Sequence, residues 1–148
     1  MPYINIGYGI DVSHLHLKDN AAFLILQEHM PNTIGEYYRD TCCDDNGNIF
    51  SLTPNTAKMF AEDYENDTYC YRGFWGMLTD IINEERDLTG YCFTFEDQCL
   101  YVPSHVPEDN QSKEAMLTQQ DVKRILEFYL RIVTDDPLNF SFVEIILP

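Results

Sequence analysis

Residues 117–136 read LTQQDVKRILEFYLRIVTDD, and this stretch decides the fold. Thr118 stands where an N-cap belongs, with a hydroxyl able to accept the free amide of Asp121. Leu117 before the cap and Val122 in the first turn are placed as a hydrophobic staple. Val122, Ile125, Leu126, Tyr129, Ile132 and Val133 recur at the three-and-four spacing of one helical face. Pro137 has no amide to donate and restricts Asp136 before it, so the helix ends there. A long amphipathic helix near the C-terminus is therefore expected, and the remaining elements must pack against its apolar face.

Working outward, Phe140 to Leu147 is apolar and β-branched. It reads as a closing strand, central in a sheet. Upstream, Pro103 to Lys113 holds two prolines among polar residues and reads as an exposed loop. Tyr91–Phe95 and Cys99–Val102 alternate as a hairpin around Glu96-Asp97-Gln98. A helix from about Thr68 to about Leu88 carries the stripe Phe74, Leu78, Ile81 and Ile82, with Gly73 and Gly76 weakening its early turns and Gly90 suited to end it. Thr53-Pro54 is an N-cap followed by proline at the first helical position, opening a helix with Ala57, Phe60, Ala61 and Tyr64 inward. Tyr37–Cys43 and Asn48–Leu52 read as strands around the Asn46-Gly47 turn. Ala21 to Met30 is a short helix, apolar nearly all round, capped by Asp19 or Asn20 and stopped by Pro31. Tyr3 to Val12 is a first strand softened or bulged at Gly7 and Gly9. The order is mixed. It predicts a single domain over 1–148 of α+β class: a small mixed or antiparallel sheet of the N- and C-terminal strands plus a hairpin, packed against three to four helices on one face.

The chain has 148 residues, 45% hydrophobic, enough for a real core. It has 25 acidic side chains against 9 basic ones, for a formal charge of −16. Such a charge repels phosphate backbones and anionic lipid, which excludes direct nucleic-acid or membrane binding and favours a partner with a basic surface. The five cysteines, Cys42, Cys43, Cys70, Cys92 and Cys99, are odd in number and fit no disulfide framework. The first dozen residues lack the basic and apolar regions of a signal peptide, and no apolar run reaches membrane-spanning length. The expected setting is cytoplasmic, where the Asn-x-Ser/Thr triplets at Asn66, Asn110 and Asn139 carry no meaning.

One candidate site is the acidic and aromatic run of Glu62, Asp63, Tyr64, Glu65, Asp67, Tyr69 and Tyr71, with Trp75 beyond it. Asp80, Glu84 and Asp87 follow at spacings of four and three, on one helical face. Carboxylates so placed repel each other, and those near a helix C-terminus oppose its dipole. A spaced row of them can imitate a phosphate backbone, and tyrosine and tryptophan are the side chains that anchor interfaces. The competing reading is a solvated helix face over core aromatics. Asp44 to Asn48 fails as a calcium loop, because Cys42 and Thr53 fall where acidic ligands are required, and stays a turn. Asp11, His14 and His16 could offer metal ligands on an extended segment, but a third partner is not evident and no metal or cofactor is expected. A Cys–His pair using His29 or His105 as base would need the fold to bring it together. Lys123 with Glu127, and Glu127 with Arg131, are spaced as local ion pairs, which leaves Arg39, Lys58, Arg72 and Arg86 as scattered single charges.

These readings favour a non-catalytic acidic binding module. It would be an inhibitor, an immunity protein or an anti-defence protein that mimics nucleic acid and occludes the basic groove of a nuclease or another nucleic-acid-handling enzyme. The alternatives are an adaptor or homo-oligomer whose charge is incidental, and a small cysteine- or carboxylate-dependent hydrolase.

Overall fold

Tyr3–Asp11 (β1) hydrogen-bonds to a strand on each side, and the sheet grows around it. The computed structural model describes residues 3–66, 72–88, 92–103 and 117–147. After β1 come four helices: α1 (Ala21–Glu28), α2 (Asn32–Thr41), α3 (Pro54–Asp63) and α4 (Gly73–Glu85). The hairpin strands β2 (Thr94–Glu96) and β3 (Cys99–Pro103), the helix α5 (Gln119–Val133) and the strand β4 (Ser141–Leu147) complete the fold. The four strands form one antiparallel sheet in the order β2-β3-β1-β4, and the fold is α+β.

The long helix forms as its sequence dictates. Thr118 Oγ1 accepts the Asp121 amide at 3.0 Å, and Asp121 returns the bond to the Thr118 amide at 3.1 Å, closing a capping box. Val122, Ile125, Leu126, Tyr129 and Val133 are buried as expected, but Leu130 takes the buried place assigned to Ile132, which is only partly covered. They meet Ile25 and Leu26 of α1, Ala57 and Phe60 of α3, Leu78, Ile81 and Ile82 of α4, and Ile10, Leu100 and Val102 of the sheet in one core. The Thr53 cap and Pro54 open α3 as expected, with Thr56 completing a second capping box. Asp97 and Gln98 take φ of 49° and 64°, the paired left-handed conformation of a tight hairpin turn. Asn83 fastens that hairpin to α4: its amide donates to the Phe93 carbonyl at 2.9 Å and accepts the Phe93 amide at 2.8 Å.

Several expectations are corrected. Tyr37–Cys43 is not a strand. Asn32–Thr41 is helical, because Ile34 and Tyr38 fall one turn apart and both face the core. Asn48–Leu52 is not a strand either; one bridge, Cys43 to Ile49, survives across the Gly47 turn. β4 lies at the sheet's edge rather than its centre. Its apolar run alternates in fact, with Ile145 buried and Phe142 and Ile146 exposed. β1 is not bulged, since its register with β3 and β4 is unbroken through Gly7 and Gly9. Those glycines admit the Tyr101 ring: a Cβ on Gly7 would fall 2.3 Å from Tyr101 Cδ2. α1 is exposed at Gln27 and Glu28 and ends before Pro31, and Asn20 stands at its N-cap without a side-chain bond. α4 begins at Gly73 and ends at Glu85, with Asp87 taking the left-handed residue after it at φ 53°. Thr68, Gly90 and the 104–113 loop lie outside the described residues. The ion pairs of Glu127 do not form. Arg124 reaches Asp121 at 3.0 Å instead, and Arg131 donates to the Asp136 carbonyl at 2.9 Å.

Candidate functional site

The acidic segments meet around Arg72. Glu65 follows the end of α3 with φ 48°, a left-handed conformation that non-glycine residues seldom adopt. Arg72 Nη1 donates to Glu65 Oε2 at 2.6 Å, and its Nη2 lies 3.6 Å from Asp80 Oδ1 on α4. The path is open because Gly76 has no side chain: a Cβ there would fall 2.2 Å from Arg72 Cβ. The Tyr64 hydroxyl donates to the other Asp80 oxygen at 2.6 Å. Burial first, and then this bond to a carboxylate, push the Tyr64 phenol far above its ordinary pKa. Tyr64 is therefore a buried donor that orients Asp80.

The next acids on α4 are also engaged. Glu84 Oε1 accepts the Thr33 amide at 2.6 Å, which places an anion at the N-terminus of α2. Glu85 accepts the Tyr129 hydroxyl at 2.5 Å and lies 2.8 Å from His29 Nδ1. Burial opposes the Glu85 charge, but Tyr129 and His29 together hold its carboxyl below the usual carboxylate range. Tyr129 is itself pushed up to about 12 by burial and by Glu85. Arg86 Nε donates to the Tyr129 hydroxyl at 3.1 Å, and the guanidinium stands 5.3 Å from the Phe128 and Tyr129 ring centroids. The Glu84–Glu85 pair thus joins α4 to α1, α2 and α5 through separate partners. The row Asp80, Glu84 and Asp87 is not three free carboxylates: Asp87 is exposed, while the other two are held.

Trp75 is half-buried, stacked on Phe95 with ring centroids 6.4 Å apart, and packs on the core. Asp67, Tyr69 and Tyr71 lie outside the described residues, as do Cys70 and His105. Glu62 and Asp63 are exposed at the end of α3. Glu62 shares the wall of an open depression with Lys18 and Lys58. Asp63 lines a groove of about 80 Å³ between α2 and α3, with Tyr37, Phe50, Met59 and Phe60. The Tyr37 ring centroid lies 5.4 Å from those of Phe60 and Tyr64, which fixes its orientation. Tyr37, Phe50 and Met59 are nevertheless exposed. Reading residues 37–52 as two strands hid this groove. With a helical period, Tyr37 falls beside the inward Tyr38, on the flank that meets α3.

The other candidates separate. Asp11 accepts the amide and hydroxyl of Ser13 at 2.8 and 2.6 Å in a local turn. His16 Nδ1 lies 3.0 Å from Asp136, whose oxygen also accepts the His16 amide at 2.7 Å. Among the described residues, no group of three histidine, cysteine or acidic side chains is placed to hold a metal ion. Burial pushes the Cys42 and Cys99 thiols up, away from the thiolate a nucleophile requires. No helix among the described residues is long and apolar enough to cross a membrane. No protein-family model matches the chain, and neither a curated protein nor a solved structure shows significant similarity to it.

Proposed function

We propose that the chain is a non-catalytic protein-binding module that occludes the basic groove of a nucleic-acid-handling enzyme, as an inhibitor, immunity or anti-defence protein does. The observation that carries this reading is the α2–α3 groove. Three exposed apolar side chains, Tyr37, Phe50 and Met59, converge at a small hollow with Asp63 on its wall. An aromatic and methionine centre with a charged residue at its margin has the anatomy of an interface hot spot. The charge of −16 supplies the long-range attraction that speeds encounter with a cationic surface. Occlusion is steric at the groove and electrostatic around it, and it requires no bond to be made or broken.

The test is capture by the immobilised protein from native lysate at low and high salt, beside the variants Met59→Ser and Asp63→Lys. The expected catch is a protein with a basic surface that is retained at low salt, released at high salt and lost from both variants. Its nucleic-acid-processing activity should fall in proportion to the added chain. Capture that ignores salt, or that both variants preserve, refutes the reading.

A further inference from the structure

Among the described residues, helices cover only one end of the sheet face that carries them. α5 lies over β1 and α4 over β2, and there Ile10, Leu100 and Val102 are buried. Toward the other end the same face crosses β1 and β4. The register sets Ile4 opposite Ile146, Ile6 opposite Glu144 and Tyr8 opposite Phe142, and directly paired residues of antiparallel strands present their side chains on one face. Ile4 is 55% exposed, Ile6 51%, Phe142 60% and Ile146 62%. Single exposed apolar residues are ordinary, but four that adjoin on one sheet face mark a contact surface. Ile145, facing the other way, is 1% exposed, so β4 is firmly seated.

We infer that this face docks a basic amphipathic helix of a partner protein, laid along β1 and β4 as a continuation of the helical layer, with a lysine or arginine against Glu144. Width selects the helix. Neighbouring strands lie about 4.8 Å apart, so two strands and their flanks present roughly the 10 Å diameter of a helix. A strand added at the edge would touch β4 and leave Ile4 and Ile6 wet. Length agrees: Ile4 to Tyr8 spans about 14 Å of strand, or between two and three helical turns. Charge selects the sign. Glu144 sits among the apolar side chains, and no ion pair among the described residues includes it. A second copy would bring another chain of charge −16 and no surplus of cations. This surface is separate from the α2–α3 groove and does not depend on it.

The test uses three synthetic peptides of about 14 residues, a length at which an isolated helix is marginal and a docking face can order it. One has a leucine face and a lysine face, one has the same composition scrambled, and one carries glutamate in place of lysine. Labelled peptide is titrated with the intact chain and with Ile146→Ser, Phe142→Ser, Glu144→Lys and, as a control of equal charge change outside both surfaces, Glu28→Lys, an exposed residue of α1. The amphipathic lysine peptide is expected to bind at least about tenfold more tightly than either of the others. Ile146→Ser, Phe142→Ser and Glu144→Lys should each weaken it about fivefold or more, while Glu28→Lys stays within about twofold. Equal losses from Glu144→Lys and Glu28→Lys would reduce the effect to bulk charge and overturn the inference. So would absence of binding, new amide protection along the outer edge of β4, which reports strand addition, or a dimer of the free chain that Ile146→Ser dissociates.

Discussion

Replacing Gly9 with alanine should pry the sheet apart at its centre. Gly9 pairs with Tyr101 of β3 on one side and Ser141 of β4 on the other. A Cβ built on it falls 2.1 Å from the Leu100 carbonyl oxygen, 2.5 Å from Tyr101 Cα and 2.7 Å from Tyr101 Cβ. The first two of these are backbone atoms, which cannot rotate out of the way. Restoring an ordinary contact of about 3.4 Å requires β1 and β3 to separate by about 1 Å, enough to stretch the neighbouring ladder hydrogen bonds beyond useful range. Overpacking of this kind costs about 1–3 kcal/mol, and two weakened backbone bonds add about 1 kcal/mol each. The expected loss is about 3–5 kcal/mol, a large share of the 5–15 kcal/mol typical of a domain. Urea unfolding followed by the fluorescence of Trp75, the single tryptophan, reads the change directly. Gly35→Ala is the matched control. It sits within α2, where the nearest atom to a new Cβ is 3.7 Å away, so that variant should gain about 0.5–1 kcal/mol from helix propensity. A Gly9→Ala loss below about 1 kcal/mol would refute the close-approach argument.

Two further expectations concern α4. Glu85→Gln removes an acceptor whose carboxyl is held below its ordinary 4.5. A group depressed in the folded state contributes stability above its unfolded pKa and loses it as pH falls through the folded value, so wild type should exceed the variant by about 1–2 kcal/mol at neutral pH. Their urea midpoints should draw together below pH 4.5, and a gap that stayed constant through the acid range would remove the charge from the explanation. Glu84→Ala strips the anion from the start of α2 and should cost about 0.5–2 kcal/mol, with faster exchange of the Thr33 amide. Unchanged exchange at Thr33 would show that the bond does not hold in solution.

The parts of the fold set by neighbouring residues were legible in the sequence, and those set by distant ones were not. The Thr118 and Thr53 caps, the Pro54 start and the inward faces of α3 and α5 each rest on contacts within a few residues. The sequence of α2 reads as a strand because Tyr37, Tyr38 and Thr41 carry strand propensity. The Glu84 carboxylate that caps the helix lies 51 positions away, and Tyr38 is held by Thr56, 18 positions away. The candidate site divides the same way. Glu62, Asp63, Glu65 and Asp80 were visible as an acidic concentration. What Glu65, Asp80 and Glu84 do depends on Arg72, Tyr64 and Thr33, whose roles no local spacing reveals. β4 reads as a central strand because an apolar run looks alike whether both faces are buried or one lies bare.

The acid excess has a structural logic that bears on any cationic partner. Several carboxylates here accept hydrogen bonds from neutral donors, although Arg124 also reaches one of them, Asp121. Ser13 donates to Asp11, the Asn48 and Asn46 amides to Asp44, Thr118 to Asp121, the His16 amide to Asp136, and Tyr129 to Glu85. Hydrogen bonds to the anion favour the charged form, and all five carboxyls are held below their ordinary values. The basic side chains, meanwhile, are partly committed at home: Lys18 to Asp135, Arg72 to Glu65 and Asp80, Arg86 to Tyr129, and Arg131 to a backbone carbonyl. Neutral donors thus fix acids in place with their charge intact, while internal contacts hold several of the few cations. Folding therefore preserves the negative field of the sequence and steadies it against falling pH. That is the property required of a surface that attracts a basic partner from a distance and leaves the final fit to an apolar centre.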